Sequence, residues 1–376
     1  MPSLRLPGGE NYVLGTPGAW SVPATPPASR TVFAAAHVVA DPFAENTPGS
    51  PAVLDWDATL AFRRHLWSWG LGVADAMDTA QRNAGLDWSA TRELIARSAA
   101  EADGPLACGA GTDHAGPLTT VAEVVSAYEE QVAYVESTGA QVILMASRQL
   151  AAVATGPDDY HSVYSGLLKQ VARPVILHWL GDMFDPFLAG YWGSSSVDDA
   201  TETLLEIIRS SPGAVDGVKV SLLDASHEVS LRRRLPAGVK LYTGDDFHYP
   251  ELIRGDPSGY SHALLGILDP IAPAASAALQ ALDAGDVAGF DAALAPTVPL
   301  ARHLFGAPTS AYKTGIVFLA WLAGHQPAFG MVNGATTNRS LPHLVETFRL
   351  ADRAGLLPDP DLAAARMRAF LAVHGL

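Results

Sequence analysis

Val215-Asp216-Gly217-Val218-Lys219-Val220-Ser221 is a short, mostly apolar run with a lysine near its end. Its centre, Gly217–Val220, reads as a β-strand, and it is the sixth of eight such runs. The others are Val32–Val39, Gly72–Met77, Leu106–Gly109, Gln141–Met145, Val175–Trp179, Lys240–Thr243 and Ser261–Ile267. Several are continuously hydrophobic, as parallel strands covered on both faces are. Stretches of 3.6-residue periodicity separate them. After the third run, Thr120 and Glu123 have capping-box spacing, and Val121, Val124, Val125, Tyr128, Val132 and Val135 form one apolar stripe. Ser196 and Asp199 repeat the cap signal ahead of Leu204, Leu205, Ile207 and Ile208. Eight alternating strand–helix units predict an α/β protein, a (β/α)8 TIM barrel spanning residues 31–273. Residues 274–376 carry helical patterns without a convincing strand, so a C-terminal helical extension is expected. Residues 1–30 hold six prolines and little periodicity, which predicts an extended N-terminal arm.

Length and composition fit this outline. At about 150 residues per domain, 376 residues allow two or three domains, or one barrel with additions. Hydrophobic residues make up 48% and charged residues 17%, which excludes a disordered chain. Twenty-four Lys and Arg against 39 Asp and Glu give a net charge of −15. No basic surplus is present to neutralise phosphates, so no nucleic-acid partner is expected. Cys108 is the single cysteine, so no intrachain disulfide can form and a reducing cytoplasm is the expected compartment. No basic segment followed by an apolar one opens the chain, so no secretory signal is expected. The longest apolar stretch, Gly315 to Gly324, is about half a membrane span, so no membrane association is expected.

A barrel of this kind carries its chemistry at the C-terminal ends of its strands. His37 and Asp41 follow the first run, Asp78 and Thr79 the second, and Thr112, Asp113 and His114 the third. Ser147, Arg148 and Gln149 follow the fourth. His178, Asp182 and Asp185 accompany the fifth, Lys219 and Ser221 the sixth, and Asp245, Asp246 and His248 the seventh. His262 lies inside the eighth and Asp269 beyond it. Among these, Lys219 is the sharpest signal. Burial at a strand end lowers a lysine's pKa and frees a neutral amine, which can attack a ketone to form a Schiff base. The plain structural reading is a lysine snorkelling to solvent.

At this point the sequence resembles the dihydrodipicolinate synthase/N-acetylneuraminate lyase superfamily of class I aldolases. Gly217-Val218-Lys219-Val220-Ser221 is similar to the segment that carries that family's Schiff-base lysine on strand 6. Gly244-Asp245-Asp246 follows at similar spacing. Ala110-Gly111-Thr112, Thr138-Gly139-Ala140 and Pro174-Val175-Ile176-Leu177 resemble the segments after strand 3, before strand 4 and on strand 5. Ala311-Tyr312-Lys313 stands where the family starts a helix of its C-terminal extension. The resemblance covers residues 31–375 and implies a Schiff-base aldolase or lyase, a small-molecule carbonyl substrate such as a 2-keto acid or keto sugar, and a homodimer or homotetramer. It also implies that no cofactor is needed.

The departures shape the candidate site. After strand 4, Ser147-Arg148-Gln149-Leu150 replaces a segment whose tyrosine relays protons in the family. The family's carboxylate-binding segment matches only loosely to Asp78-Thr79-Ala80-Gln81-Arg82. Lys219 is thus the candidate nucleophile and His178 the candidate acid/base, an imidazole titrating near neutrality. Its plain reading is a hydrogen-bonded core histidine. Thr79, Thr112, Arg148, Asp245, Asp246 and His262 are candidate substrate-binding residues. Arg148 suits a carboxylate or phosphate, with Arg82 a weaker choice. Of the two aspartates, one is expected to cap the next helix and one to face the lysine. Trp179 and Trp192 are candidate pocket walls.

Two other readings compete. His37, Asp41, Asp113, His114 and Asp182 suit Zn²⁺ or Mn²⁺ if the barrel gathers them, giving a metal-dependent lyase, isomerase or hydrolase. The lost tyrosine suits a non-catalytic binding relative. A dinucleotide loop at Gly109-Ala110-Gly111 fails on spacing, since the next glycine is Gly116.

Overall fold

The computed structural model describes residues 1–376. Two short strands, β1 (Ser3–Arg5) and β2 (Asn11–Val13), form an antiparallel hairpin. Eight parallel strands follow: β3 (Val32–Ala35), β4 (Gly72–Asp75), β5 (Leu106–Ala110), β6 (Gln141–Leu144), β7 (Val175–Leu180), β8 (Val215–Ser221), β9 (Lys240–Thr243) and β10 (His262–Leu265). They close in sequence order, with β10 returning to β3, into one barrel. All eight expected strands are present, and the fold is the (β/α)8 TIM barrel with C-terminal helices.

The strands are buried over nearly their whole length, which explains their continuous apolar runs. Inside the barrel, Phe33, Ala35, Ala74, Met77, Ala107, Ile143, Met145, Ile176, Tyr242 and Leu264 form a closed apolar cluster. Gly217 makes room for it. A Cβ there would stand 2.7 Å from the Tyr242 ring, so only glycine lets that ring cross the barrel's N-terminal end, hereafter its floor. The helices pack outside. The one over Val121–Ser137 starts with the expected capping box, Thr120 and Glu123 each bonding the other's backbone. Ser196 caps the helix over Val197–Ser210.

Five longer helices dominate the C-terminal region: Ala272–Asp283, Val287–Leu294, Tyr312–Leu322, Leu341–Arg353 and Pro360–Val373. The apolar stretch at Gly315 lies in the third of these and is buried by its neighbours. No helix is long and apolar enough to cross a membrane.

The first thirty residues differ from a plain extended arm. Leu4, Leu6 and Leu14 are buried, and the hairpin turns at Gly8 and Gly9, both with positive φ. Tyr12 Oη donates to Asp352 at 2.7 Å, and the amide of Gly18 reaches the carbonyl of Gly355 at 2.9 Å. Strands of three residues are too short to register as alternation, so only the contacts reveal them.

Candidate active site

Lys219 points into the barrel near its C-terminal mouth and is 7% exposed. β7 pairs with β8 so that His178 lies directly opposite it. Burial lowers the lysine's pKa, while the charges of Asp246 and Asp78 act in the opposite direction. Asp246 is likewise buried, and burial raises its pKa. The amide of Ile267 donates to one Asp246 oxygen at 2.9 Å. The pair therefore consists of an amine pushed toward neutrality and a carboxyl pushed toward protonation, coupled through space without a direct hydrogen bond.

The two neighbouring aspartates have separate tasks. Asp245 accepts from the amides of Phe247 and His248 at 2.8 and 3.0 Å, and its other oxygen meets His248 Nδ1 at 3.0 Å. It is consumed by its own turn, so its candidacy for substrate binding gives way to a capping role. Of these two neighbours, Asp246 is the one whose charge reaches the lysine.

His178 is fully buried and its pKa falls well below the ordinary value, from burial first and then from the charge of Lys219. Its Nε2 lies 3.5 Å from Ser221 Oγ, and its Nδ1 has no partner. A neutral imidazole of this kind is a weak base. It suits hydrogen bonding to a ligand better than proton abstraction.

The helix Tyr312–Leu322 brings two further groups to the mouth. Tyr312 Oη is 2.8 Å from Thr79 Oγ1, and Lys313 Nζ is 2.9 Å from Asp78. Burial, then the charge of Asp78, raises the tyrosine's pKa well above its usual value. Its ring stacks on Phe305 at 4.3 Å and meets the edge of Phe184. The loop carrying Asp78 and Thr79 is strained: Ala76, Gln81 and Asn83 all have positive φ. Arg82 holds it by donating to the carbonyls of Ala76 and Gly109, to Asp113 and to Gln131. Arg82 is thus a buried strut, with no guanidinium left for a substrate.

The remaining candidates scatter. Thr112 Oγ1 bonds Ser147 Oγ and Gln149 at 2.6 and 2.7 Å, in a polar cluster on the β5–β6 side. Arg148 reaches the rim but its Nε holds Asp185 at 2.6 Å. His262 contradicts its expectation. It is the first residue of β10, so it lies at the floor, where Nδ1 accepts from the amide of Thr31 at 2.8 Å. Trp179 and Trp192 pack with Tyr160, Tyr164 and His227 outside the barrel wall, not against a ligand space.

The alternative metal set is not gathered. His37 spends Nδ1 on Asp269 at 2.8 Å and Nε2 on Gln326 at 3.2 Å. Asp113 is held by Arg82, and His114 lies between Gln131 and Glu130. Asp41 caps its own loop through the amide of Phe43, and Asp182 is exposed. No group of three or more His, Cys, Asp or Glu side chains is arranged to hold an ion.

Tyr312 and Lys313 are the site residues that sequence reasoning missed as functional. The Ala311-Tyr312-Lys313 segment stood out only as a helix start. Nothing in its local sequence says that this helix returns to the barrel mouth.

Comparison with known proteins agrees with this architecture. The family described as "Protein of unknown function (DUF993)" matches residues 6–376. No curated protein matches the chain. Dihydrodipicolinate synthase from Aquifex aeolicus is similar in structure, with a TM-score of 0.65 and 12% identity over 87% of this chain and 99% of the other. The Thermotoga maritima enzyme gives 0.64 and 15%, over 87% and 99%. The chloride-inhibited enzyme from Acinetobacter baumannii, complexed with pyruvate, gives 0.64 and 14%, over 88% and 100%. At such identities the likeness establishes a shared fold.

Proposed function

The chain belongs to the DUF993 family, and we propose that it is a class I aldolase or lyase whose nucleophile is Lys219. The observation that carries this reading is one buried lysine facing the barrel interior beside a buried carboxyl, with no direct ion pair consuming either. The fold shared with dihydrodipicolinate synthases supports it, because the sequence resemblance implies a Schiff-base lysine on the sixth barrel strand, and Lys219 lies on that strand.

The sequence of steps follows from the groups present. Asp246 takes the ammonium proton, leaving a neutral amine. Lys219 Nζ attacks the substrate carbonyl carbon, and Asp246 gives its proton back to the carbinolamine hydroxyl, which leaves as water to give an iminium. A hydroxyl one carbon beyond the adjacent carbon then loses its proton to Asp246 or to a water held there. The C–C bond breaks, and its electron pair moves into the iminium to form an enamine. Protonation of the enamine carbon and hydrolysis return the free lysine and the second carbonyl product. His178 Nδ1 accepts from a substrate hydroxyl, and Tyr312 and Thr79 orient another. The tyrosine stands in, from a different element, for the proton-relaying tyrosine absent after β6.

A panel of keto acids and keto sugars tested with borohydride distinguishes this reading from the alternatives. A substrate-dependent covalent adduct is expected in the native protein and none in Lys219→Ala. Full turnover by Lys219→Ala overturns the proposal. Chelator-sensitive activity with a stoichiometric ion favours the metal-dependent reading instead, in which the rim histidines and aspartates rearrange around Zn²⁺ or Mn²⁺.

A further inference from the structure

Resting on that reading, we infer that the substrate is an uncharged hydroxy ketone, an unphosphorylated keto sugar or a shorter relative, and not a 2-keto acid. The inference comes from the charges at the mouth. Every cation there is already matched by a carboxylate: Lys313 by Asp78, Arg82 by Asp113 and Arg148 by Asp185. Two of these pairs are substantially buried and cannot reopen without stranding a charge. The Arg148 pair is reinforced from both sides. Asp185 also accepts from the amide of Phe187, and the guanidinium lies 4.9 Å from the Phe187 ring.

A 2-keto acid carries its carboxylate on the carbon that the lysine attacks. When Lys219 becomes an iminium, that carboxylate is held beside it, within reach of Asp78 and Asp246, the two acids whose charges reach the lysine. Beyond the iminium itself, it finds no cation there without a carboxylate partner, in a poorly solvated space. A phosphate faces the same difficulty with more charge. A hydroxyl in the same position meets acceptors instead. His178 Nδ1 has no hydrogen-bond partner. It is buried and can receive a hydroxyl proton, and Asp246 lies near the same lysine with a carboxyl that no side chain occupies. The overall charge of −15 points the same way, since it repels anions at long range.

Hydroxyacetone and pyruvate form a matched pair of probes, differing only in a hydroxymethyl group against a carboxylate beside the ketone. Each is incubated with the full-length protein at equal concentration and reduced with cyanoborohydride, whose hydride converts the iminium to a stable secondary amine. Intact mass then measures the adduct, normalised to trapping on a free lysine derivative. Hydroxyacetone is expected to trap at least about tenfold better than pyruvate. Equal or better trapping of pyruvate overturns the inference while leaving the Schiff-base reading standing. Trapping of neither probe removes the Schiff-base reading and this inference with it. Asp78→Asn provides a second readout, because it frees Lys313 to receive a carboxylate. The ratio is expected to shift toward pyruvate by about tenfold, and an unchanged ratio contradicts the role assigned to the Asp78–Lys313 pair.

Discussion

The two ends of the barrel contain the same four kinds of side chain. At the floor are Lys240, Asp216, Tyr242 and His262; at the mouth are Lys219, Asp246, Tyr312 and His178. The floor groups satisfy one another directly. Lys240 Nζ and Tyr242 Oη both reach Asp216, at 2.7 and 2.6 Å, and His262 accepts a backbone amide. The mouth groups do not. Lys219 and Asp246 interact through space, and His178 leaves a ring nitrogen bare. Lys240 keeps a third of its side chain in water, whereas Lys219 is almost fully buried. Composition therefore says little about which end reacts. Partner saturation and solvation separate a structural cluster from a reactive one.

Matched substitutions at the two ends test this contrast. Lys219→Ala is expected to lower turnover by at least about 10³-fold and to abolish trapping. Lys240→Ala, which loses only a part-exposed ion pair, is expected to keep both and to cost at most about 1 kcal/mol in a urea titration. Equal losses from the two variants would dissolve the distinction. Asp246→Asn is expected to reduce turnover by about 10²–10⁴-fold while trapping persists, because the proton carrier is lost and the amine is not. Asp216→Asn should leave turnover alone.

Tyr312→Phe is expected to reduce turnover by about 10²-fold, and Tyr242→Phe to cost about 1 kcal/mol of stability without a kinetic effect. A pH-dependent effect separates the barrel wall from its interior. Glu228, on the helix Ala225–Arg232, accepts from Thr243 and Ser261 and is pushed up to about 8 by burial. Its folded pKa exceeds that of an unfolded glutamate. Its contribution is complete below about pH 4.5 and disappears as pH rises through about 8. Glu228→Gln should match the native protein at pH 5 and exceed it by on the order of 2 kcal/mol at pH 9. An identical gain at both values would mean that the carboxyl does not titrate as described.

The barrel was legible because parallel strands buried on both faces leave continuous apolar runs, and Lys219 was legible because a lysine interrupts one of them. His262 was misplaced for a related reason. A residue inside a predicted strand can sit at either end once the boundary moves, and β10 begins at His262. Asp245 and Asp246 read from the sequence as a pair with divided tasks, but which one faces the lysine depends on the turn after β9. Arg82 read as a ligand-binding cation, and only the strained loop it supports shows that its guanidinium is spent. Tyr312 and Lys313 were not legible as site residues. Their helix reaches the mouth through tertiary packing against Phe305 and Thr79, which leaves no local pattern.

The central claim is that one lysine, made reactive by where it lies, performs the chemistry. The most direct measurement is the position of the reduced adduct. After cyanoborohydride treatment with hydroxyacetone, peptide mapping is predicted to find the modification on the peptide bearing Lys219 and not on those bearing Lys240 or Lys313. Adduct spread over these lysines, or absent from Lys219, would contradict the account.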